Sequence, residues 1–245
     1  MDSVHQFTTH IKGERIAYET LPGKGPGIFY LGGFRSSMAG VKAQYLRAFC
    51  KKQGRGFTVF DYSGHGQSDG KFEKGTIGLW LENAITVFKK TSGPQIIIGS
   101  SMGGWIMLLL ALKEPDRVKA LIGVAAAPDF SETLFFKQLS PSLKEKIKIN
   151  GFIERQSLEG ESYPITWKMI EEARNHLVLG QNINIKCAVH LIHGQKDEEV
   201  PWQKSIELSE KLNSSKVYIH LIKQGDHRLN QKSDLTLLSE IIKLI

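Results

Sequence analysis

The sequence predicts an α/β fold: a mostly parallel sheet, helices on both of its faces, and a small helical lid inserted late in the chain. Three observations carry this expectation. First, short β-branched and aromatic runs at 28–31, 57–61, 96–98 and 118–127 alternate with stretches of helical apolar spacing, the pattern of parallel strands buried on both faces. Second, Gly99-Ser100-Ser101-Met102-Gly103 places a G-x-S-x-G between a strand-like run and an apolar helical run. Third, from Pro128 to about Ile185 the strand pattern stops and short helical segments take over. That stretch is too long for a plain loop and too short for an independent core. At 245 residues, 41% hydrophobic and 23% charged, the chain fits one domain over 1–245 with the lid at 128–185 inside it.

The first strands are expected at 5–10 and 14–20, antiparallel around Lys12-Gly13. Leu21 to Gly27 reads as a loop by its Pro and Gly content. It lacks the GxxxxGK[ST] order and precedes a strand, so it is no phosphate loop. Ile28 to Leu31 is a buried strand ending in Gly32-Gly33-Phe34-Arg35. A helix follows over about 39–53, with Val41, Tyr45, Leu46 and Phe49 on one face and Cys50 beside it as a packing residue. The strand at 57–61 leads into Tyr62 to Gly70, where the glycines spell GxGxxxG rather than a dinucleotide GxGxxG, and His65 reads as a turn residue. A helix over 76–90 closes at Ser92-Gly93-Pro94, and the helix after Ser101 stops before Pro115. Beyond the lid come a strand at 188–193, a helix at 202–212, a strand at 217–222 and a helix at 233–244. There is no internal repeat.

The formal net charge is +7, but the basic residues are dispersed, which argues against nucleic acid as a partner. Cys50 and Cys187 fit no metal or redox spacing and suggest a reducing compartment. The opening residues have neither a signal-peptide nor a transit-peptide character, and no apolar stretch approaches the ~20 residues of a membrane span. A cytoplasmic monomer or homodimer is the expectation. Neither HExxH nor paired CxxC nor a carboxylate cluster is present, so no metal and no cofactor is expected.

The chemistry centres on Ser101. In a strand–turn–helix elbow the middle residue is held in a strained conformation at the tip, and glycines two positions away on either side let the turn close. Ser100 competes, but only Ser101 has glycines at both −2 and +2. A serine hydroxyl needs a base, and the base needs an orienting acid. His227, in the loop after the last strand, is the base; His190 and His220 lie inside apolar strands, and His193 stands just before a glycine turn. That turn leads to Asp197 in Gly194-Gln195-Lys196-Asp197-Glu198-Glu199-Val200-Pro201, the favoured acid, with Asp129 as its rival. The amides of Met102 and Phe34 are the candidate oxyanion donors. Trp105, Tyr62 and Trp167 are the candidate substrate contacts.

With those residues in place the chain resembles the α/β-hydrolase family over essentially its whole length. The similar stretches are Phe60-Asp61-Tyr62-Ser63-Gly64, Gly93-Pro94-Gln95-Ile96, Gly99 to Trp105, Ala120 to Ala125, His193 to Asp197, Val200-Pro201-Trp202 and Asp226-His227-Arg228. Within the family it looks like the small mitochondrial serine hydrolases described as palmitoyl-protein thioesterases and acyl-glucuronide esterases. The resemblance implies Ser101, Asp197 and His227 as the triad and an acyl-enzyme route for carboxylic esters or thioesters, with an S-acylated protein among the substrates. It departs at the N-terminus, where no transit segment is seen, and in the looser sequence of the lid. Dehalogenases and epoxide hydrolases of this fold need a carboxylate where Ser101 stands. A C–C hydrolase or a cofactor-free peroxidase could share the triad, and a catalytically degenerate binding module is the non-enzyme alternative.

Overall fold

The computed structural model describes residues 4–9, 13–156 and 160–245. In chain order the strands are β1 (Val4–Thr9), β2 (Arg15–Leu21), β3 (Lys24–Leu31), β4 (Arg55–Phe60), β5 (Gln95–Ser100), β6 (Val118–Val124), β7 (Phe152–Gln156), β8 (Ser162–Thr166), β9 (Ala188–Gly194) and β10 (Val217–Ile222). The α-helices are α1 (Val41–Gln53), α2 (Ile77–Phe88), α3 (Met102–Lys113), α4 (Pro141–Asn150), α5 (Trp167–Ala173), α6 (Gln203–Lys211) and α7 (Lys232–Leu244). Eight strands make one sheet in the order β1-β2-β4-β3-β5-β6-β9-β10. The pairs β1·β2 and β2·β4 are antiparallel, and every pair from β4 to β10 is parallel. The expected first hairpin is therefore present, although His10 and Lys12 of its turn lie outside the described residues.

The sheet divides the core. On one face α2, α3 and α6 pack with Phe29, Ile97 and Leu121, and Phe130, Ile147, Ile165 and Ile170 of the inserted segment join them. On the other, α1 and α7 cover Ile28, Ile96, Ile98 and Ile122. α3 is buried from Met102 to Ala111, so it has no polar stripe and its sequence reads as a continuous apolar run.

Three expectations need correction. The segment 24–27 is the start of β3, not a free loop: the amides of Lys24 and Gly27 donate to Gly54 O (2.8 Å) and Pro94 O (3.2 Å), and a register shift between Lys24 and Ile28 absorbs the irregular backbone. The buried stripe of α1 is Ala43, Leu46 and Cys50; Val41 is half exposed because it sits in the first turn at the rim of the cleft. The lid is not all helix. Between β6 and β9 it runs through a single π-helical turn (Ser131–Phe135), α4, the antiparallel hairpin β7–β8 and α5. Four of the five β7 residues are exposed, so no buried run marks the strand in the sequence.

Candidate active site

β5 and α3 meet at Ser101, which has φ 53° and ψ −120°. Such a conformation costs on the order of 1–3 kcal/mol and persists only where the surroundings over-determine it. Here the Ser101 amide donates to Val124 O (2.9 Å), and its carbonyl accepts from Gly104 N (2.8 Å) and Ala127 N (3.1 Å). The flanking glycines are sterically required. A Cβ on Gly99 would stand 2.3 Å from Gly103 O, and one on Gly103 would stand 2.2 Å from Leu31 O. Ser100 is buried and hydrogen-bonded with Tyr30.

The loops after β9 and β10 bring the other two groups to Ser101. They are tied to each other by Lys196 N donating to Gly225 O (2.9 Å). His227 Nε2 lies 3.1 Å from Ser101 Oγ, and His227 Nδ1 lies 2.8 Å from Asp197 Oδ2. This is the line of hydrogen bonds along which a serine proton can pass to an oriented imidazole. The Asp197 side chain is fully buried. Burial alone would push its carboxyl upward, but donors from His193 and His227, with the Val200 amide, outweigh it and hold the group well below the usual carboxylate range.

One member of this arrangement was not foreseen. His193 at the end of β9 is completely buried, with Nε2 3.1 Å from Asp197 Oδ2 and 3.0 Å from Val200 O, while Nδ1 accepts from Ser205 Oγ (2.7 Å). The only sequence signal was a histidine directly before the glycine turn that leads to Asp197. The rival acid, Asp129, has other partners: its carboxylate accepts from the amides of Val178 (2.9 Å) and Leu179 (2.9 Å) and so fastens the end of the lid.

The loop after β3 carries Phe34. Its approach to the nucleophile depends on Gly33, where a Cβ would meet Ser101 Cβ at 3.3 Å. Asp61 accepts from Met38 N (2.6 Å) and Gln67 N (2.8 Å), joining this loop to the turn after β4. His65, expected only as a turn residue, is buried; its Nδ1–H faces Ser63 O (3.2 Å) and its Nε2 accepts from the Arg35 amide (3.2 Å). Burial pushes its pKa down to about 4, against the pull of the Ser63 carbonyl and together with the nearby Arg35 charge. The other expected donor, the amide of Met102, is at the first position of α3, where a helix leaves its N–H groups without internal partners.

Ser101 and His227 open into a cavity of about 550 Å³. Phe34, Ala127, Phe130, Leu134 and Phe135 give it an apolar side; Arg35, Lys42, Glu161, Glu199 and Arg228 line its polar side. The three expected substrate contacts are elsewhere. Trp105 is fully buried, donating from Nε1 to His176 O (3.0 Å). Tyr62 is buried between Phe60 and His65. Trp167 packs on Phe136 beneath Arg174. Each holds the scaffold or the lid, because a large aromatic next to an elbow is first of all core volume. Among the described residues, no group of three or more His, Cys, Asp and Glu is arranged to hold a metal ion.

The profile of the Hydrolase_4 family, described as serine aminopeptidase S33, matches residues 35–234. The chain belongs to this family of α/β-hydrolase enzymes. It is 41% identical over 226 residues to the mitochondrial palmitoyl-protein thioesterase ABHD10 of Bos taurus, an alignment covering 91% of this chain and 74% of that protein. The solved α/β-hydrolase domain-containing protein 10 from mouse superposes with a TM-score of 0.92 at 38% identity, covering 98% of this chain and 97% of the other. A putative hydrolase from Agrobacterium vitis gives 0.95 at 32% identity, covering 100% and 99%. These relatives correct the expected compartment. The mammalian proteins are mitochondrial by name, which overturns the cytoplasmic assignment. The two free cysteines, Cys50 and Cys187, do not distinguish one reducing compartment from another. Among the described residues no helix is long and apolar enough to cross a membrane.

Proposed function

We propose that this serine hydrolase cleaves carboxylic esters or thioesters of medium to long or bulky acyl groups through an acyl-enzyme on Ser101. The carrying observation is the unbroken contact from Asp197 Oδ2 through His227 to Ser101 Oγ, opening on a cleft with an apolar side. Ser101 Oγ attacks the acyl carbon as its proton moves to His227 Nε2. The amides of Met102 and Phe34 take the charge that develops on the carbonyl oxygen. The C–O or C–S bond then breaks, and the alkoxide or thiolate leaves with the proton from His227. Water, deprotonated by the same imidazole, attacks the acyl-enzyme and returns Ser101. The palmitoyl-protein thioesterase names of the mammalian relatives support an S-acylated protein as one substrate. The lid at 128–185 belongs to the same single domain and acts as the roof of the acyl site.

The test is covalent labelling by a fluorophosphonate probe together with a panel of p-nitrophenyl esters and acyl thioesters of increasing chain length. Labelling that maps to Ser101, with turnover of esters or thioesters, supports the reading. A protein that neither labels nor turns over any member is a binding module instead.

A further inference from the structure

Next to the catalytic cleft, between α4, the hairpin and α5, lies a second hollow of about 510 Å³, open to solvent where Lys146, Asn150, Phe152 and Glu154 line it. Leu139, Leu143, Ile153, Ile165 and Ile170 form its apolar wall, contributed by the segment before α4, by α4, by both strands of the hairpin and by α5. Its floor of Ile153, Ile165 and Ile170 is apolar, so an acyl tail lying on it leaves water while the polar rim stays solvated.

The two cavities are neighbours. They share Phe135 and Arg155 in their linings, and the Arg155 guanidinium lies over the Phe135 ring at 4.5 Å. The partition between them therefore includes one cation–π pair, whose loss changes an equilibrium by only about two- to fivefold. Phe135 ends the π-helical turn, a type of irregularity frequent at functional sites, and its ring touches Phe130 (5.2 Å) and Phe34 (6.5 Å) on the cleft side.

Resting on the acyl-enzyme reading above, we propose that the lid cavity is the distal chamber of the acyl site, which takes the methyl end of a long acyl chain once the chain has displaced the Phe135–Arg155 pair. The occupant follows from continuity. A chain esterified at Ser101 that followed the apolar side of the first cavity would reach Phe135, which lines both hollows.

The chamber is tested by the ratio of kcat/KM for hexadecanoyl and butyryl p-nitrophenyl esters. Each CH₂ seated out of water is worth roughly fourfold. Narrowing the chamber by Leu143→Trp on α4 or by Ile153→Trp on β7 should therefore lower the ratio at least tenfold, whereas Phe135→Ala should raise it. The two tryptophan variants stand on different elements, so if one fails to fold the other decides. An unchanged ratio in a variant that still labels with a fluorophosphonate overturns the chamber. So does a proportional loss with both esters. If the unmodified protein hydrolyses no ester or thioester, the acyl-enzyme reading falls on its own. Binding of a fluorescent hexadecanoate to Ser101→Ala, and its loss in Ser101→Ala/Leu143→Trp, then decides the chamber separately; retained binding in the double variant overturns it.

Discussion

At the scale of single residues, the site is a chain of proton-bearing groups, and each link has a different expected weight. Ser101→Ala and His227→Ala should each remove about 10⁵- to 10⁶-fold of kcat, because nucleophile and base act as one unit, and Asp197→Asn should cost less. Asp129→Asn should leave the chemistry and loosen the lid end, since Asp129 holds the Val178 and Leu179 amides. Steady-state kinetics on the four variants checks this; a severe Asp129→Asn beside a harmless Asp197→Asn would reverse the acid assignment. His193 adds a second expectation. Asp197 Oδ2 is shared between two imidazoles, so His193→Phe leaves a buried carboxylate short of a donor and lets its pKa rise. Losing a hydrogen bond to a charge should lower kcat roughly ten- to a hundredfold, with thermal stability falling too. His193→Gln, which can still donate, should recover much of the loss, and equal damage by both variants would show that ring packing matters more than the donor. Ser101, Asp197 and His227 could be singled out in the sequence because each stands in a turn just beyond a strand. His193 was not, because a histidine within an apolar strand looks like any other core residue until its partner is located.

At the scale of elements, the strand-to-helix junctions do the positioning, and the loop after β3 is held by a histidine that must stay neutral. His65 can accept the Arg35 amide only through an unprotonated Nε2, and burial lowers its pKa to about 4. The unfolded chain binds the proton near pH 6.5 and the folded chain does not. Stability from this group is therefore complete above about pH 6.5 and declines as pH falls toward 4, by about 3 kcal/mol in all. His190 and His220, also lowered by burial, act in the same direction, so the informative quantity is the difference between proteins. His65→Gln keeps an acceptor without a proton to gain, and its chemical-denaturation stability should fall less between pH 6.5 and 4 than that of the unmodified chain. Parallel pH dependence in the two proteins would remove the argument. The central β-branched strands were legible because burial on both faces leaves uninterrupted apolar runs. The hairpin β7–β8 was not, since β7 has only Phe152 and Ile153 among charged and polar neighbours and β8 contains Pro164, a residue that demotes a strand. In α1, Leu46 and Phe49 pack against the core as expected, whereas Val41 faces the cleft rim and Ala43 and Cys50 complete the buried stripe.

At the scale of the whole molecule, a parallel sheet with helices on both faces could be read from element order alone. The placement of the lid over Ser101 depends on contacts between residues more than a hundred positions apart, which no local pattern encodes. Arg35 is the clearest of these. Its amide, in the loop after β3, is held by His65, while its guanidinium reaches Glu161 (2.7 Å) and lies over the Tyr163 ring (4.6 Å). The ion pair is partly exposed and contributes only ~0–1 kcal/mol after solvent screening, and the cation–π contact about 0.5–1 kcal/mol. Together these weak contacts tie the hairpin to the loop that carries Phe34. Replacing Arg35 by Gln should therefore speed hydrogen exchange of the paired amides in 152–156 and 162–166 by about five- to thirtyfold, while amides of β5 and β6 stay at their original rates. Raised salt should move the unmodified protein part of the way, because it weakens the ion pair more than the ring contact. Unchanged exchange in the hairpin would mean that the apolar packing of Phe135, Tyr163 and Ile165 holds the lid without Arg35.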